Sequence, residues 1–199
     1  MNGKKKIGVL ALQGAFAEHI ASLQKLNAEA LAIRSIQDLE GLDGLIIPGG
    51  ESTTIGRLMM PYGFIETLRK LHQTDFPIFG TCAGMILLAK TILDSDASTI
   101  GAVDIKIKRN AFGRQVNSFE TSLSIPAFGE VSFPAIFIRA PIIVDTGPEV
   151  KILANLPEGT PVVAQQGNSL VSAFHPELTS DLRFHAYFLD IISRGARRQ

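Results

Sequence analysis

Pro77-Ile78-Phe79-Gly80-Thr81-Cys82-Ala83-Gly84-Met85-Ile86-Leu87-Leu88 reads as a short buried strand, a turn and an apolar helix, with the only cysteine of the chain where strand hands over to helix. Gly80 and Gly84, two residues before and two after Cys82, leave room for a sharp turn that packs closely. This is the pattern of a nucleophile elbow with sulfur in place of oxygen. A helix start also favours an anion, and a thiolate is one. The competing reading is a free cysteine acting as a small buried hydrophobe; the glycine-flanked strand-to-helix context favours the nucleophile.

The strands around this elbow point to a parallel sheet. Ile7-Gly8-Val9-Leu10-Ala11-Leu12 is a continuous apolar run, as expected of a strand buried on both faces. Phe16, Ile20, Leu23 and Leu26 then recur at helical spacing. Residues 28–33 and Leu45-Ile46-Ile47 read as further strands, separated by a helical turn around Ile36 and Leu39. Strand, helix and strand at this spacing give right-handed βαβ units.

The third strand runs into Pro48-Gly49-Gly50-Glu51-Ser52-Thr53-Thr54, where the hydroxyl residues are expected to cap a helix reaching to about Met60. Adjacent glycines let the peptide between them reorient at little cost, which suits an N–H that must face a substrate oxygen; the plainer alternative is a tight turn. A second helix over residues 64–71 leads into the elbow. Three strands thus end in Gln13-Gly14, Gly49-Gly50-Glu51 and Gly80-Thr81-Cys82, and an open parallel sheet binds ligands outside those carboxyl ends.

Beyond Lys90 strands follow one another. Val103, Ile105 and Ile107 alternate with Asp104, Lys106 and Lys108, and Phe119, Thr121, Leu123 and Ile125 with Glu120, Ser122 and Ser124, as in half-exposed antiparallel strands. The loop between them carries Arg109 and Arg114. Residues 136–141 form a strand stopped by Pro141, with Arg139 near its end. Residues 152–156, 162–165 and 170–174 continue the β-rich half, and Phe184, Phe188, Ile191 and Ile192 mark a last helix over residues 181–193 that covers the sheet. Surface arginines are usually solvated, but a guanidinium is also the natural partner of a substrate carboxylate.

In Phe174-His175-Pro176-Glu177, proline stops the strand and projects the imidazole from its end. Glu177 can fold back to the second ring nitrogen, fix the tautomer and stabilise imidazolium while the first nitrogen takes a thiol proton. His19 and His185 fall in helical patterns and His72 ends a helix, so all three read as structural.

The 199 residues suit one domain without linker or repeat. Lysine plus arginine balances aspartate plus glutamate at 19 each, which leaves no global field for nucleic acid or an anionic membrane. One cysteine excludes an internal disulfide and, with no apolar span or signal-like start, leads to the expectation of a cytoplasmic chain. No Cys/His cluster has metal-ligand spacing. Lys4, Lys5 and Lys6 at one end and Arg194, Arg197 and Arg198 at the other read as solvated termini.

With the elbow and the histidine-glutamate pair in view, the chain resembles class I glutamine amidotransferases. Leu12-Gln13-Gly14-Ala15, Pro48-Gly49-Gly50-Glu51-Ser52-Thr53-Thr54, Gly80-Thr81-Cys82-Ala83-Gly84-Met85, Arg109-Asn110-Ala111-Phe112-Gly113-Arg114-Gln115, Phe137-Ile138-Arg139-Ala140-Pro141 and Phe174-His175-Pro176-Glu177-Leu178-Thr179 together resemble the glutaminase subunits of pyridoxal 5′-phosphate synthase. Residues 93–99 match none of these blocks.

The resemblance implies an α/β, flavodoxin-like three-layer fold, with a central mostly parallel sheet and an antiparallel β extension in the C-terminal half, as one glutaminase domain over residues 1–199. It implies a Cys82, His175 and Glu177 triad that hydrolyses L-glutamine through a thioester. It further implies an oxyanion site at Ala83 and the Gly49-Gly50 turn, and a glutamine site at Gln13, Gly50, Glu51, Ser52, Arg109, Ile138 and Arg139. Neither metal nor cofactor is implied. The partner implied is a synthase subunit that uses the ammonia with ribose 5-phosphate and glyceraldehyde 3-phosphate in a hetero-oligomer, with the free subunit idle until partner binding reorients the Gly49-Gly50 peptide.

Three other readings stand beside it. Cysteine hydrolases and stress proteins with this elbow commonly carry histidine directly after the cysteine, where Ala83 stands here. A regulatory binding domain would not need all three triad candidates. A glutaminase serving another synthase, such as that of histidine biosynthesis, would not be expected to carry the Gly-Glu-Ser-Thr-Thr and Arg-Asn-Ala-Phe-Gly-Arg blocks.

Overall fold

The structure, a computed structural model, describes residues 4–109 and 118–195. The chain runs β1 (Lys6–Leu10), α1 (Phe16–Lys25), β2 (Glu29–Ile33), β3 (Gly44–Ile47), α2 (Ser52–Met59), α3 (Phe64–His72), β4 (Ile78–Thr81), α4 (Ala83–Leu88) and β5 (Ala89–Ile92). It continues with β6 (Val103–Lys108), β7 (Ser118–Leu123), β8 (Phe133–Ile138), β9 (Ile142–Thr146), β10 (Lys151–Asn155), β11 (Pro161–Gln166), β12 (Ser169–Ser172) and α5 (Arg183–Gly195).

The main sheet has the order β10-β11-β12-β4-β3-β1-β2. From β2 to β12 the pairings are parallel, and β11 and β10 add two antiparallel strands at one edge. The apolar runs are central because they are buried on both faces: Ile7, Val9, Leu45, Ile46, Ile78, Phe79, Leu170 and Val171 have no exposed surface. Each such side chain contributes about 1.5–3 kcal/mol relative to exposure.

Side-chain alternation along β4 separates the two helical layers. The Phe79 ring lies 5.7–6.4 Å, between centroids, from His19 of α1 and from Phe184, His185 and Phe188 of α5. The next residue, Gly80, faces the opposite way: a Cβ there would meet Gly84 backbone at 2.6 Å and Leu88 at 2.7 Å, both in α4. Helices therefore cover both faces.

The β-rich half supplies the expected antiparallel strands, distributed over three sheets. Besides β10 and β11, it forms a hairpin of β7 with β8 and a separate sheet β5-β6-β9, in which β5 and β6 are parallel. β5 begins directly where α4 ends, so the apolar run from the elbow supplies both a helix and a strand. Val103, Ile105 and Ile107 point inward as their alternation predicts. Residues 110–115 of the arginine-rich block, Arg114 among them, and Arg197 and Arg198 lie outside the described residues. Among the described residues no helix is long and apolar enough to cross a membrane.

β2 lies on one side of β1 and β3 on the other, so the strand order reverses there. The loops after β1 and β3 open at this switch point, where open α/β sheets bind ligands. Parallel pairing of Thr81 with Ser172 brings the ends of β4 and β12 to the same edge.

Candidate active site

Cys82 is held by its backbone. Its N–H donates to the Ser172 carbonyl at 2.8 Å, and its φ of +48° with ψ of −100° is a conformation L-residues rarely adopt. Such a residue costs on the order of 1–3 kcal/mol and persists only where its surroundings impose it. They do here, because Gly84 presses on β3: a Cβ on it would fall 2.0 Å from the Ile47 carbonyl oxygen. The Cys82 sulfur lies 3.7 Å from the Ile138 carbonyl oxygen, and the residue is 5% exposed.

His175 sits three residues past the end of β12, and its N–H donates to Ile136 O of β8 at 2.9 Å. Pro176 opens a single 3-10 turn, residues Pro176–Leu178, which brings the Glu177 carboxylate under the ring. His175 Nδ1 lies 2.7 Å from Glu177 Oε1 with both groups buried. Burial alone would lower the proton affinity of His175, but the Cys82 sulfur and the Glu177 carboxylate outweigh it and raise its pKa to about 10. Glu177 is likewise penalised by burial, yet the facing His19 and His175 hold its carboxyl below the ordinary value. This is the charge pattern that favours a proton on His175, the group placed to exchange one with the Cys82 sulfur.

Gly49 packs directly on that imidazole. A Cβ there would lie 2.2 Å from His175 Cε1 and 3.3 Å from Cys82 Cβ. The Gly49 carbonyl accepts the Ala15 N–H at 3.0 Å. Because a trans peptide sets its C=O and N–H on opposite sides, the Gly50 N–H points away from the β1–α1 loop. Ala83, the first residue of α4, has no intrahelical acceptor for its own N–H.

Cys82 and His175 line one cavity of about 360 Å³, together with Gly50, Glu51, Ser52, Arg109, Ile138 and Arg139. Ile86, not singled out in the sequence, also lines it. Gln13 stands behind the cavity, accepting the Glu51 N–H on Oε1 at 2.9 Å. Arg139, like Cys82, has positive φ, +45°.

Glu51, rather than a hydroxyl residue, caps α2. Its carboxylate accepts the Thr53 N–H at 3.1 Å and the Thr54 N–H and hydroxyl at 2.6 Å each. The Thr54 hydroxyl leads in lowering its pKa, with the two backbone N–H groups adding to it. A carboxylate caps as readily as a hydroxyl, and Glu51 holds the cap position while Ser52 is already the first residue of the helix. Arg109 is oriented by Asp94, with Nε 3.2 Å from Oδ2. Asp94 belongs to residues 93–99, which carried no recognisable signal.

Two histidines read as structural stand directly behind the triad. His19 Nε2 is 3.4 Å from Glu177 Oε2 and 3.2 Å from Thr81 Oγ1, and His19 Nδ1 is 2.9 Å from His185 Nε2. His72 does remain apart: it ends α3, and burial lowers its pKa against the pull of Asp75.

Comparison with known proteins gives this arrangement its kin. The chain is 54% identical over 187 residues to pyridoxal 5′-phosphate synthase subunit PdxT of Moorella thermoacetica, covering 94% of this chain and 99% of the relative. Identity to the protein of the same name from Carboxydothermus hydrogenoformans is 54% over 190 residues, 96% and 99% of the two chains. A crystal structure of a glutamine amidotransferase superimposes with a TM-score of 0.89 at 48% identity, over 94% of this chain and 98% of that one. Residues 9–194 match the SNO glutamine amidotransferase family, and the chain belongs to that family.

Proposed function

We propose that residues 1–199 form a single glutaminase domain that releases ammonia from L-glutamine and passes it to a pyridoxal 5′-phosphate synthase subunit in a hetero-oligomer. The observation that carries this reading is that Cys82 and His175 line one cavity, with His175 Nδ1 2.7 Å from the buried Glu177 carboxylate. The PdxT relatives support the synthase as destination of the ammonia.

In this reading Cys82 gives its thiol proton to His175 as its sulfur attacks the side-chain amide carbon of glutamine. The oxyanion is met by the Ala83 N–H and one N–H of the Gly49-Gly50 turn. His175 gives its proton to the amide nitrogen, the C–N bond breaks and ammonia leaves, with a thioester on Cys82. Water, losing a proton to His175, then releases glutamate, while Glu177 keeps the imidazole oriented throughout. Arg109 or Arg139 holds the α-carboxylate. Glu51 takes the α-ammonium, since the cap uses three of about four lone-pair sites on its carboxylate. Gln13 supports Glu51, while Ser52 and Ile138 complete the walls.

Control lies in the glycine turn. Losing one oxyanion donor costs about 3 kcal/mol of transition-state stabilisation, so the orientation of one peptide suffices to silence the enzyme. The Ala15–Gly49 hydrogen bond is what a partner must act on to turn that peptide. A thiol that has to remain free suits a reducing cytoplasm.

Glutamate release should be measured with and without the synthase subunit. The reading expects little turnover alone and strong stimulation by the synthase. Full turnover by the isolated chain, unchanged by synthase, contradicts the control by the glycine turn; no turnover in either case contradicts the glutaminase.

A further inference from the structure

Behind the triad, on the side away from the cavity, lie His19 of α1 and His185 of α5, both with no exposed surface. Glu177 reaches them with its second oxygen. Oε1 is bound to His175, whereas Oε2 is buried without a hydrogen-bond partner and faces His19 Nε2 at 3.4 Å. A buried carboxylate oxygen left unmet is costly, so the state of His19 matters to the triad.

Hydrogen-bond accounting selects one tautomer. Suppose His19 carries its proton on Nδ1. It then donates to His185 Nε2, the proton of His185 must sit on Nδ1, and that atom has no acceptor. The His19 Nε2 lone pair would also face the Glu177 carboxylate. With the proton on Nε2 instead, His185 Nε2–H donates to His19 Nδ1 at 2.9 Å, and His19 Nε2–H lies between Thr81 Oγ1 and Glu177 Oε2. The single cost is then an unmatched lone pair on His185, milder than a buried orphan N–H and a lone-pair clash with a carboxylate.

We propose that His19 is a positioning residue for the triad, its Nε2–H held toward Glu177 Oε2 by a tautomer that His185 fixes, so that Glu177 stays ionised and aimed at His175. This deepens the glutaminase reading and rests on it. The titratable groups acting on Glu177 are His175 on its own segment, His19 with Glu18 nearby on α1, and His185 on α5, with Thr81 against His19 and Cys82 acting on His175. Burial keeps His185 neutral and lowers the pKa of His19 against the pull of Glu177, so His19 serves as a neutral N–H donor. The Thr81 hydroxyl, next to the nucleophile, shares that N–H and ties the relay to the elbow.

The test has two arms. In the wild-type protein, imidazole ¹⁵N shifts at neutral pH should show His19 and His185 neutral with the proton on Nε2; a proton on Nδ1 of His19 overturns the inference. In the complex with the synthase subunit, His19→Leu should lower kcat by about tenfold or more, as expected for a lost hydrogen bond to a charged group, with KM for glutamine within about twofold. Its kcat/KM profile should have its acid limb moved to higher pH by about one unit, because the buried carboxyl loses a donor that favours its charged form. His19→Gln, which keeps an N–H near the Nε2 position, should recover most of the rate and the profile. An unaltered profile in a folded His19→Leu protein overturns the role, and if that variant does not fold the ¹⁵N measurement decides. Absence of Cys82-dependent glutamate release in the wild-type complex would count against the glutaminase instead, again leaving the tautomer to decide for His19.

Discussion

Gly49 sits against the imidazole of His175 so closely that a Cβ on it would be 2.2 Å from Cε1 and 2.7 Å from Nδ1. The glycine turn and the base are thus packed together, with no room for a side chain between them. Gly49→Ala must displace the ring from Glu177 or move the turn. Since a displacement of about 1 Å can cost on the order of 100-fold, kcat should fall at least that far, with the fold retained by circular dichroism. A variant with near wild-type kcat would show that the ring has room to yield.

Gly84→Ala tests the elbow by stability. The new methyl would meet a carbonyl oxygen of β3 at 2.0 Å, backbone that has no flexible end to give way. A loss of about 3 kcal/mol is expected, roughly 10 °C in Tm for a chain of this size. Calorimetry of the variant beside wild type measures it, and an unchanged Tm would mean that α4 can slide on β3.

Stability should peak near pH 6.5 and fall on both sides. His175 has its pKa raised from 6.5 to about 10, so its contribution is complete below 6.5 and is lost as pH rises toward 10. His185, lowered to about 3 by burial first and the neighbouring His19 second, works the other way. The unfolded chain takes up its proton below 6.5 while the folded one does not, so stability falls from 6.5 toward 3. Glu177, held below its ordinary 4.5, adds to the acid loss below that value. Thermal melts across this range should show the alkaline slope flattened in Cys82→Ala, which removes a cause of the raised His175, and the acid slope flattened in His185→Gln.

Arg109 is aimed by Asp94, and both effects are separable in kinetics. Arg109→Met should raise KM for glutamine by about 10- to 100-fold while kcat changes far less, as when a charged hydrogen bond is lost equally from ground and transition states. Asp94→Asn should raise KM in the same direction but less. A fall in kcat at unchanged KM in Arg109→Met would place the guanidinium in the chemical step instead.

The parts of this site that the sequence reveals are those set by local pattern. Unbroken apolar runs identify β1, β3 and β4, the glycines flanking Cys82 identify the elbow, and Pro176 places His175 at a strand end. Parallel strands then deliver those loops to one edge without further information. What stays hidden depends on partners distant in the chain. His19 and His185 are 166 residues apart and look like ordinary members of amphipathic helices; periodicity gives the face each occupies, not the carboxylate waiting opposite. Asp94 lies in a stretch without periodicity, and its use is visible only where it meets Arg109. β5 was hidden because one apolar run serves a short helix and then a strand, and pairing with β6 decides where the change falls.

The central claim is that Cys82 carries the glutamyl group. Acid quenching of the wild-type protein during turnover with its synthase partner and glutamine, followed by peptide mass mapping, should find a glutamyl adduct on the peptide containing Cys82. Cys82→Ala should show neither adduct nor glutamate release. Glutamate formation that persists in Cys82→Ala, or an adduct on another residue, would contradict the account.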